Sequence, residues 1–94
     1  MKIKLSHGEA NIEKLKYSGW YLHSIIIEEN YRGKGIGTRL MEKILLKCDT
    51  PIYLLSDGSM GGDPERLFEF YKKFGFKKKK GNDIGYNYNM ILGD

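Results

Sequence analysis

The chain has 94 residues, a length that suits one domain with a modest hydrophobic core. Its net charge of +4, from 16 basic and 12 acidic residues, is too small to require a nucleic-acid partner. No apolar run approaches the length of a membrane span, and the N-terminus alternates polar and apolar residues without a signal-peptide core. We therefore expect one cytoplasmic domain over residues 1–94 with no membrane partner, in which the single cysteine, Cys48, is a buried thiol.

The first third of the chain has the residue pattern of β-structure. Alternating residues predict a short strand over 1–5, followed by a turn at 6–9. Residues 10–17 suit either a helix or a strand, and the short connections on both sides favour a strand. The strongest strand is predicted over 20–27, where β-branched and aromatic residues are nearly continuous, so we expect it to be buried on both faces.

The middle of the chain alternates helix and strand. Apolar residues recur at helical spacing from 36 to about 47, and a short apolar strand is predicted over 52–55. A helix between two neighbouring strands is typical of a right-handed parallel crossover, so this strand should run parallel to the strand over 20–27. A polar, glycine-rich loop is expected over 56–62.

The last third predicts one helix and a closing pair of strands. Asp63 suits an N-cap, Pro64 suits the first helical position, and Gly75 suits a left-handed cap at the end. Antiparallel strands are predicted over 76–80 and 86–92, with the lysine run at 77–80 forming a solvated edge. The resulting order, β-β-β-α-β-α-β-β, belongs to the α+β class.

A glycine-rich loop lies between the strongest strand and the first helix. Gly33, Gly35 and Gly37 allow close approach to the backbone, and the first amides of a helix have no intrahelical acceptor. Together with the positive end of the helix dipole, these amides predict a site for a phosphate or pyrophosphate, and Arg32 and Lys34 add positive charge. The spacing fits neither a P-loop nor the G-x-G-x-x-G fingerprint of dinucleotide-binding domains.

Two motifs resemble those of the GCN5-related N-acetyltransferase (GNAT) family. Arg32, Gly35 and Gly37 form the Arg-x-x-Gly-x-Gly pattern of the family's acetyl-CoA loop. Residues 70–76 are similar to the family's late Phe-Tyr-x-x-x-Gly-Phe motif. The resemblance implies a GNAT-like mixed sheet whose two central parallel strands splay apart. The chain looks like a minimal, N-terminally shortened member, similar in size to a small phage anti-CRISPR acetyltransferase that acts on a protein lysine.

The resemblance also implies which residues hold acetyl-CoA, with no metal required. Backbone amides of the glycine loop would bind the pyrophosphate, and the backbone of the preceding strand would pair with the pantetheine arm like an added β-strand. The residues implied to bind acetyl-CoA are Ile25, Ile26, Ile27, Arg32, Gly33, Lys34, Gly35, Ile36, Gly37 and Thr38.

Two side chains are candidates for the catalytic steps of an acetyl transfer. Tyr71 matches the family tyrosine that protonates the departing CoA thiolate, although aromatic residues at this spacing are also typical of a helix core. His23 is the candidate base that deprotonates the acceptor amine, with Glu28 and Glu29 as alternatives. Strand alternation places His23 on the same face as Tyr21 and residues 25 and 27.

Departures from the family pattern concern mainly the acceptor. Pro64 and Leu67 replace the usual Asn and Ala of the last helix, so we expect the loop at 56–63 to supply the missing contacts. The family's N-terminal helices have almost no room here, which leaves the acceptor site either open to a protein or peptide amine or completed by a second subunit in a homodimer. The favoured function is therefore protein lysine N-acetylation from acetyl-CoA. The alternatives are a small-molecule amine acceptor, a non-catalytic CoA-binding module and, last, a nucleic-acid-binding domain.

Overall fold

A computed structural model describes residues 1–56 and 63–93 of the chain. Within these two ranges the sheet has six strands in the order β1-β2-β3-β4-β6-β5, and two α-helices join them. The elements are β1 (Lys2–Leu5), β2 (Gly8–Lys14), β3 (Trp20–Ile27), α1 (Ile36–Lys47), β4 (Ile52–Leu54), α2 (Pro64–Lys72), β5 (Lys77–Gly81) and β6 (Tyr88–Leu92). This order confirms the predicted α+β sequence of elements, and a short 3-10 helix (Glu29–Tyr31) precedes the glycine loop.

The sheet is mixed because one pair of strands is parallel. β3 and β4 run parallel, as predicted from the crossover through α1, whereas all other neighbouring strands are antiparallel. The parallel pairing joins only Trp20–Leu22 to Ile52–Leu54. Among the described residues, the rest of β3 has no strand on that side, so the two central strands separate as expected.

Both helices cover the same face of the sheet. The core on this face combines strand residues such as Leu22 and Ile52 with Leu40, Met41 and Ile44 of α1. At the first turn of α1, a Cβ on Gly37 would lie 3.3 Å from both the Ile27 side chain and the Phe70 ring of α2. The small residue at this position therefore allows α1, β3 and α2 to meet.

A β-bulge interrupts the pairing of β2 and β3. Asn11 pairs with Ser24 and Ile12 pairs with Leu22, so His23 is the extra residue on β3. A bulge reverses the facing of side chains beyond it, because two residues on one strand oppose one on its partner. As a result, Leu22, Ile25 and Ile27 all contact the core, although their numbers differ in parity.

The predicted ends of α2 are confirmed. The Asp63 carboxylate accepts a hydrogen bond from the Glu65 amide at 3.0 Å, and Pro64 occupies the first turn. Gly75 has a φ of 100° after the last turn, as a left-handed cap requires. Neither helix in the described part of the chain is long and apolar enough to cross a membrane.

The last two strands form the predicted antiparallel pair, and β5 is an edge strand with exposed lysines. β6 begins at Tyr88, two positions later than the predicted 86. Residues 86 and 87 belong to the connection before β6, where the Tyr86 hydroxyl donates a hydrogen bond to the Glu13 carboxylate on β2. The predicted loop over 56–62 lies outside the described residues except for Ser56.

Candidate functional site

A cavity of about 460 Å³ lies where β3, the glycine loop and α2 meet. It joins segments that are up to 46 residues apart in sequence, from Ile25 to Tyr71. The lining residues are Ile25, Ile26, Ile27, Arg32, Gly33, Gly35, Ile36, Gly37, Thr38, Leu67, Phe70 and Tyr71. The structure therefore places nine of the ten sequence-predicted acetyl-CoA residues in one cavity together with Tyr71.

The glycine loop beside this cavity holds amides that have no acceptor in the described chain. The first intrahelical bond of α1 runs from the Arg39 amide to the Gly35 carbonyl at 3.1 Å. The amides of residues 33–38 donate to no acceptor within residues 1–56 and 63–93. Because these donors coincide with the positive end of the helix dipole, the loop has the chemistry of an anion site.

Backbone conformation explains two of the loop glycines. Gly33 and Gly35 have φ values of 77° and 81°, a region that L side chains rarely adopt. Nothing lies within 4 Å of a Cβ built at either position, so conformation and not space requires glycine there.

The two cations of the loop differ in position. Arg32 lines the cavity, and its Nε lies 3.4 Å from the Ile27 carbonyl oxygen at the end of β3. Lys34 does not line the cavity. The structure therefore favours Arg32 over Lys34 as the side chain that contacts a bound anion.

Tyr71 is half-buried, and its hydroxyl has no hydrogen-bond partner among the described residues. Its ring contacts Phe70 and Phe76 in edge-to-face geometry, with centroids 5.4 and 5.8 Å apart. Burial raises the pKa of its phenol, and within the described part of the chain the hydroxyl makes no hydrogen bond. A phenol that is protonated at neutral pH and faces a partly apolar cavity can donate a proton to an anion formed there.

In the second half of β3, one backbone edge has no neighbouring strand among the described residues. Ile25, Ile26 and Ile27 pair with β2 on one side, whereas β4 ends before reaching them on the other. In a strand, the N–H and C=O groups of alternate residues point to opposite edges. The edge beside the cavity can therefore pair with an extended, amide-containing ligand as a further strand would.

His23 lies on the other face of the sheet, which corrects part of the sequence prediction. Its ring contacts Tyr21 and Tyr86, and its Nε2 lies 2.8 Å from Glu13 Oε1. The expected shared face with Tyr21 is confirmed, but the shared face with Ile25 and Ile27 is wrong. The bulge at His23 inverts the alternation between these positions.

Sequence reasoning missed the partners of His23 and the apolar wall of the cavity. Glu13 accepts from the Tyr86 hydroxyl at 2.7 Å as well as contacting His23, although Tyr86 is 73 residues away. Leu67 and Phe70 complete the cavity from α2. Helical periodicity identifies Phe70 as buried, but no local signal pairs Glu13 with Tyr86.

The remaining candidates lie away from the cavity. Glu28 Oε2 contacts His7 Nδ1 at 3.0 Å, and Glu29 begins the short 3-10 helix. Cys48 is buried at the opposite end of α1 from the glycine loop, and desolvation raises the pKa of its thiol. None of these three side chains lines the cavity. The loop at 56–63 is expected to replace contacts of the last helix, and its residues 57–62 lie outside the described residues.

The fold and the loop together define a class of protein. The Acetyltransferase (GNAT) domain model matches residues 3–78, which is most of the chain, so the chain belongs to the GNAT family. The chain is also 31% identical over 71 residues to the uncharacterized N-acetyltransferase MJ1207 of Methanocaldococcus jannaschii. That match covers 76% of this chain and 30% of the relative's length.

Solved structures show the same fold. One is a structure from Corynebacterium glutamicum described as histone acetyltransferase HPA2 and related acetyltransferase, which superposes with a TM-score of 0.60 at 21% identity. This match covers 89% of this chain and 55% of that one. Arabidopsis thaliana Naa50, in complex with the bisubstrate analogue CoA-Ac-MVNAL, superposes with a TM-score of 0.56 at 27% identity. This match covers 89% of this chain and 62% of that one. The chain thus spans less than two thirds of the length of each of these relatives.

Proposed function

We propose that this chain transfers an acetyl group from acetyl-CoA to a primary amine. The observation that carries the proposal is the cavity that unites three groups: the glycine-loop amides without an acceptor in the described chain, the edge of β3 that no described strand covers, and the Tyr71 phenol. A pyrophosphate needs the loop amides, a pantetheine arm suits the edge of β3, and a leaving thiolate needs the proton of the phenol. Membership of the GNAT family and the CoA-containing analogue bound by the Naa50 relative also support acetyl-CoA as the co-substrate.

Acetyl-CoA is expected to bind across this cavity. The pyrophosphate accepts hydrogen bonds from the loop amides, and Arg32 neutralises part of its charge. The pantetheine amides pair with the backbone of Ile25 to Ile27, which directs the thioester toward α2. A backbone N–H near Ile25 donates to the thioester carbonyl oxygen and stabilises the negative charge that develops there.

The chemical step is a direct transfer in a ternary complex. The amine nitrogen bonds to the thioester carbon, the bond from that carbon to sulfur breaks, and the sulfur leaves with the electron pair. Tyr71 donates its proton to that sulfur, which its burial beside the cavity favours because a thiolate is poorly solvated there. The acylated nitrogen then loses its excess proton, which restores the Tyr71 phenol, and the products are the N-acetylated amine and CoA.

The acceptor amine is expected to approach from the face of the sheet opposite the helices. His23 is the first β3 residue beyond the stretch that pairs with β4, so it lies where the two strands separate. A base at this position can take the proton of an amine that attacks through the opening between the strands. Because lysine amines are protonated at neutral pH, such a base is needed before attack.

A protein or peptide amine, most simply a lysine, is the favoured acceptor. No helix of the described chain covers the sheet face that carries Tyr21, His23 and Tyr53, since both helices pack on the other face. A face that carries no helix accommodates a macromolecule more readily than one that helices enclose. If a second copy of this chain covers that face instead, sedimentation will show a dimer whose formation depends on Tyr53.

The test is mass spectrometry of peptide and protein acceptors after incubation with acetyl-CoA. We expect new acetylation on acceptor amines, and a fall of roughly 10²-fold or more in rate for Tyr71→Phe, the usual effect of losing a general acid. Tyr17→Phe is the matched control, since Tyr17 is 90% exposed on the β2–β3 connection. Full activity of Tyr71→Phe would refute its role, and acetyl-CoA binding without any acetylation would favour a non-catalytic binding module.

The pH dependence of the rate gives a second check on Tyr71. A proton donor acts only while protonated, so activity falls as the pH rises through its pKa. Because burial raises the pKa of Tyr71 above the ordinary tyrosine value, this loss is expected only above about pH 10. Stopped-flow rates measured across the pH range, with an acceptor amine that is already deprotonated, report this loss. If the activity of the wild-type chain already falls below pH 9 as the pH rises, and that fall is absent in Tyr71→Phe, the assignment is contradicted.

A further inference from the structure

We propose that Glu13 and Tyr86 hold His23 in the tautomer protonated at Nε2, which leaves Nδ1 as the basic nitrogen that accepts the proton of the acceptor amine. The inference rests on the proposed role of His23 as the base. It assigns to Glu13 and Tyr86 the role of positioning residues that act through His23 and do not touch the substrate.

The three side chains converge from three separate parts of the chain. Glu13 lies near the end of β2, His23 is the bulged residue of β3, and Tyr86 lies in the connection before β6. His23 Nε2 is 2.8 Å from Glu13 Oε1, and the Tyr86 hydroxyl donates to the same oxygen at 2.7 Å. One carboxylate oxygen therefore receives both contacts.

The protonation of the pair follows from the chemistry of the carboxylate. An ionised carboxylate can only accept hydrogen bonds, so the nitrogen facing it must carry the proton. Hydrogen bonds from His23 and Tyr86 lower the pKa of Glu13, which keeps it ionised at neutral pH. In a neutral imidazole, protonation at Nε2 leaves Nδ1 as the acceptor.

Nδ1 is available for this role. Within residues 1–56 and 63–93, His23 makes no hydrogen bond other than the one through Nε2. By contrast, the ring of His7 uses Nδ1 to contact Glu28 and stacks on Tyr31, with centroids 3.5 Å apart. The two histidines of the chain therefore engage their carboxylates through opposite ring nitrogens.

Aromatic neighbours fix the orientation of the His23 ring. Its centroid lies 4.8 Å from that of Tyr21 and 4.9 Å from that of Tyr86, at interplanar angles of 66° and 90°. Tyr21 is itself anchored, because its hydroxyl donates to the Asn87 carbonyl at 2.7 Å. With the ring held on two sides and hydrogen-bonded at Nε2, a flip that exchanges the nitrogens would break the contact with Glu13.

The arrangement also stabilises the product of proton transfer. When the amine proton moves to Nδ1, the ring becomes an imidazolium that carries a proton on each nitrogen. Glu13 then faces a positive charge and makes a charge-assisted hydrogen bond, which is stronger than the bond to neutral imidazole. No other group needs to take up or release a proton in this step.

Nitrogen NMR of the histidine rings tests the tautomer without reference to activity. We expect His23 of the ¹⁵N-labelled wild-type chain to show the Nε2–H tautomer at a pH where the ring is neutral, with His7→Ala used to assign the signals. Glu13→Ala should give a mixture of tautomers. A wild-type His23 that is protonated at Nδ1, or a tautomer that is the same in Glu13→Ala, would overturn the inference.

A double-mutant cycle tests whether Glu13 acts through His23. Glu13→Ala should lower kcat/KM for the acceptor about tenfold, which is less than the ~10²–10⁴-fold effect of losing a general base. In a His23→Ala background, Glu13→Ala should cause no further loss. Glu9→Ala removes a carboxylate from the same strand and should leave the rate unchanged, since Glu9 contacts Lys2.

The outcomes of the cycle separate two kinds of failure. If His23→Ala lowers the rate but Glu13→Ala does not, the positioning role is wrong and the proposed base stands. If His23→Ala leaves the rate unchanged, the proposed base fails, and the inference fails with it. If Glu13→Ala is equally harmful with and without His23, the carboxylate acts independently of the ring, and the inference is wrong.

Discussion

The two helices of this chain begin in opposite ways. At the start of α2, the Asp63 carboxylate accepts from the Glu65 amide and Pro64 removes a donor that would otherwise be unpaired. At the start of α1, Gly35 has a left-handed conformation and supplies no side-chain acceptor, so the amides around it are unpaired within the described chain. One helix terminus has a side-chain cap from its own sequence, and the other has none.

If the α1 terminus binds acetyl-CoA as proposed, stability has been given up there for binding. A side-chain cap typically stabilises a helix by about 1 kcal/mol, and α1 forgoes this contribution. The glycines at its start also lose more backbone conformational entropy on folding than other residues would. We propose that the same amides bind acetyl-CoA, because no group in the described part of the chain competes for them. Three predictions test this comparison.

The largest effect is expected at Gly35, compared with a matched glycine elsewhere. Gly35 and Gly85 have φ values of 81° and 89°, and neither has an atom within 4 Å of a built Cβ. Alanine at either position costs about 1–2 kcal/mol of backbone strain. We expect Gly35→Ala to weaken acetyl-CoA binding about tenfold or more and Gly85→Ala to leave it unchanged, as measured by calorimetry. Equal losses in the two variants would mean that strain alone, and not the amide geometry, governs binding.

A smaller effect is expected from the loop cations. Arg32 lines the cavity and Lys34 does not. Arg32→Ala should therefore weaken acetyl-CoA binding roughly fivefold, which is less than the full contribution of a charge-assisted hydrogen bond. Lys34→Ala should change the affinity little at moderate salt. If the lysine variant is the weaker binder, the side chain of Lys34 reaches the ligand in the bound state, and the sequence expectation for it is restored.

The smallest effect on binding is expected at the capped helix. Asp63→Ala removes the acceptor for the Glu65 amide, so the free energy of unfolding should fall by about 1 kcal/mol. Acetyl-CoA affinity should be unchanged, because this terminus does not line the cavity. Urea denaturation and calorimetry on the same sample measure both quantities. A loss of affinity without a loss of stability would show that the two termini are not functionally distinct.

The parts of the molecule that sequence could predict are those encoded locally. Asp63, Pro64 and Gly75 bound α2 through contacts with their own neighbours, so their residue types identify the ends directly. The glycine loop is similarly local, since the strand before it, the positive φ values and the uncapped helix after it all lie within about twenty residues. Nine of the ten residues predicted for acetyl-CoA accordingly meet in one cavity.

The parts that sequence could not predict depend on register and on distant segments. The bulge that leaves His23 unpaired arises from the fit between β2 and β3, and no feature of β3 alone marks it. Alternation therefore predicted the wrong face for Ile25 and Ile27 relative to His23. The contact of Glu13 with Tyr86 requires the whole sheet to form first, because the two residues lie near opposite ends of the chain.

The central claim is that acetyl-CoA binds at the uncapped terminus of α1 and not at the capped terminus of α2. Titration of the ¹⁵N-labelled chain with acetyl-CoA, followed by two-dimensional NMR, reports on every backbone amide at once. We predict that the amides of residues 33–38 show the largest shifts, together with Ile25 to Ile27, while the Glu65 amide shifts little. Saturable binding that leaves residues 33–38 unshifted would contradict this account.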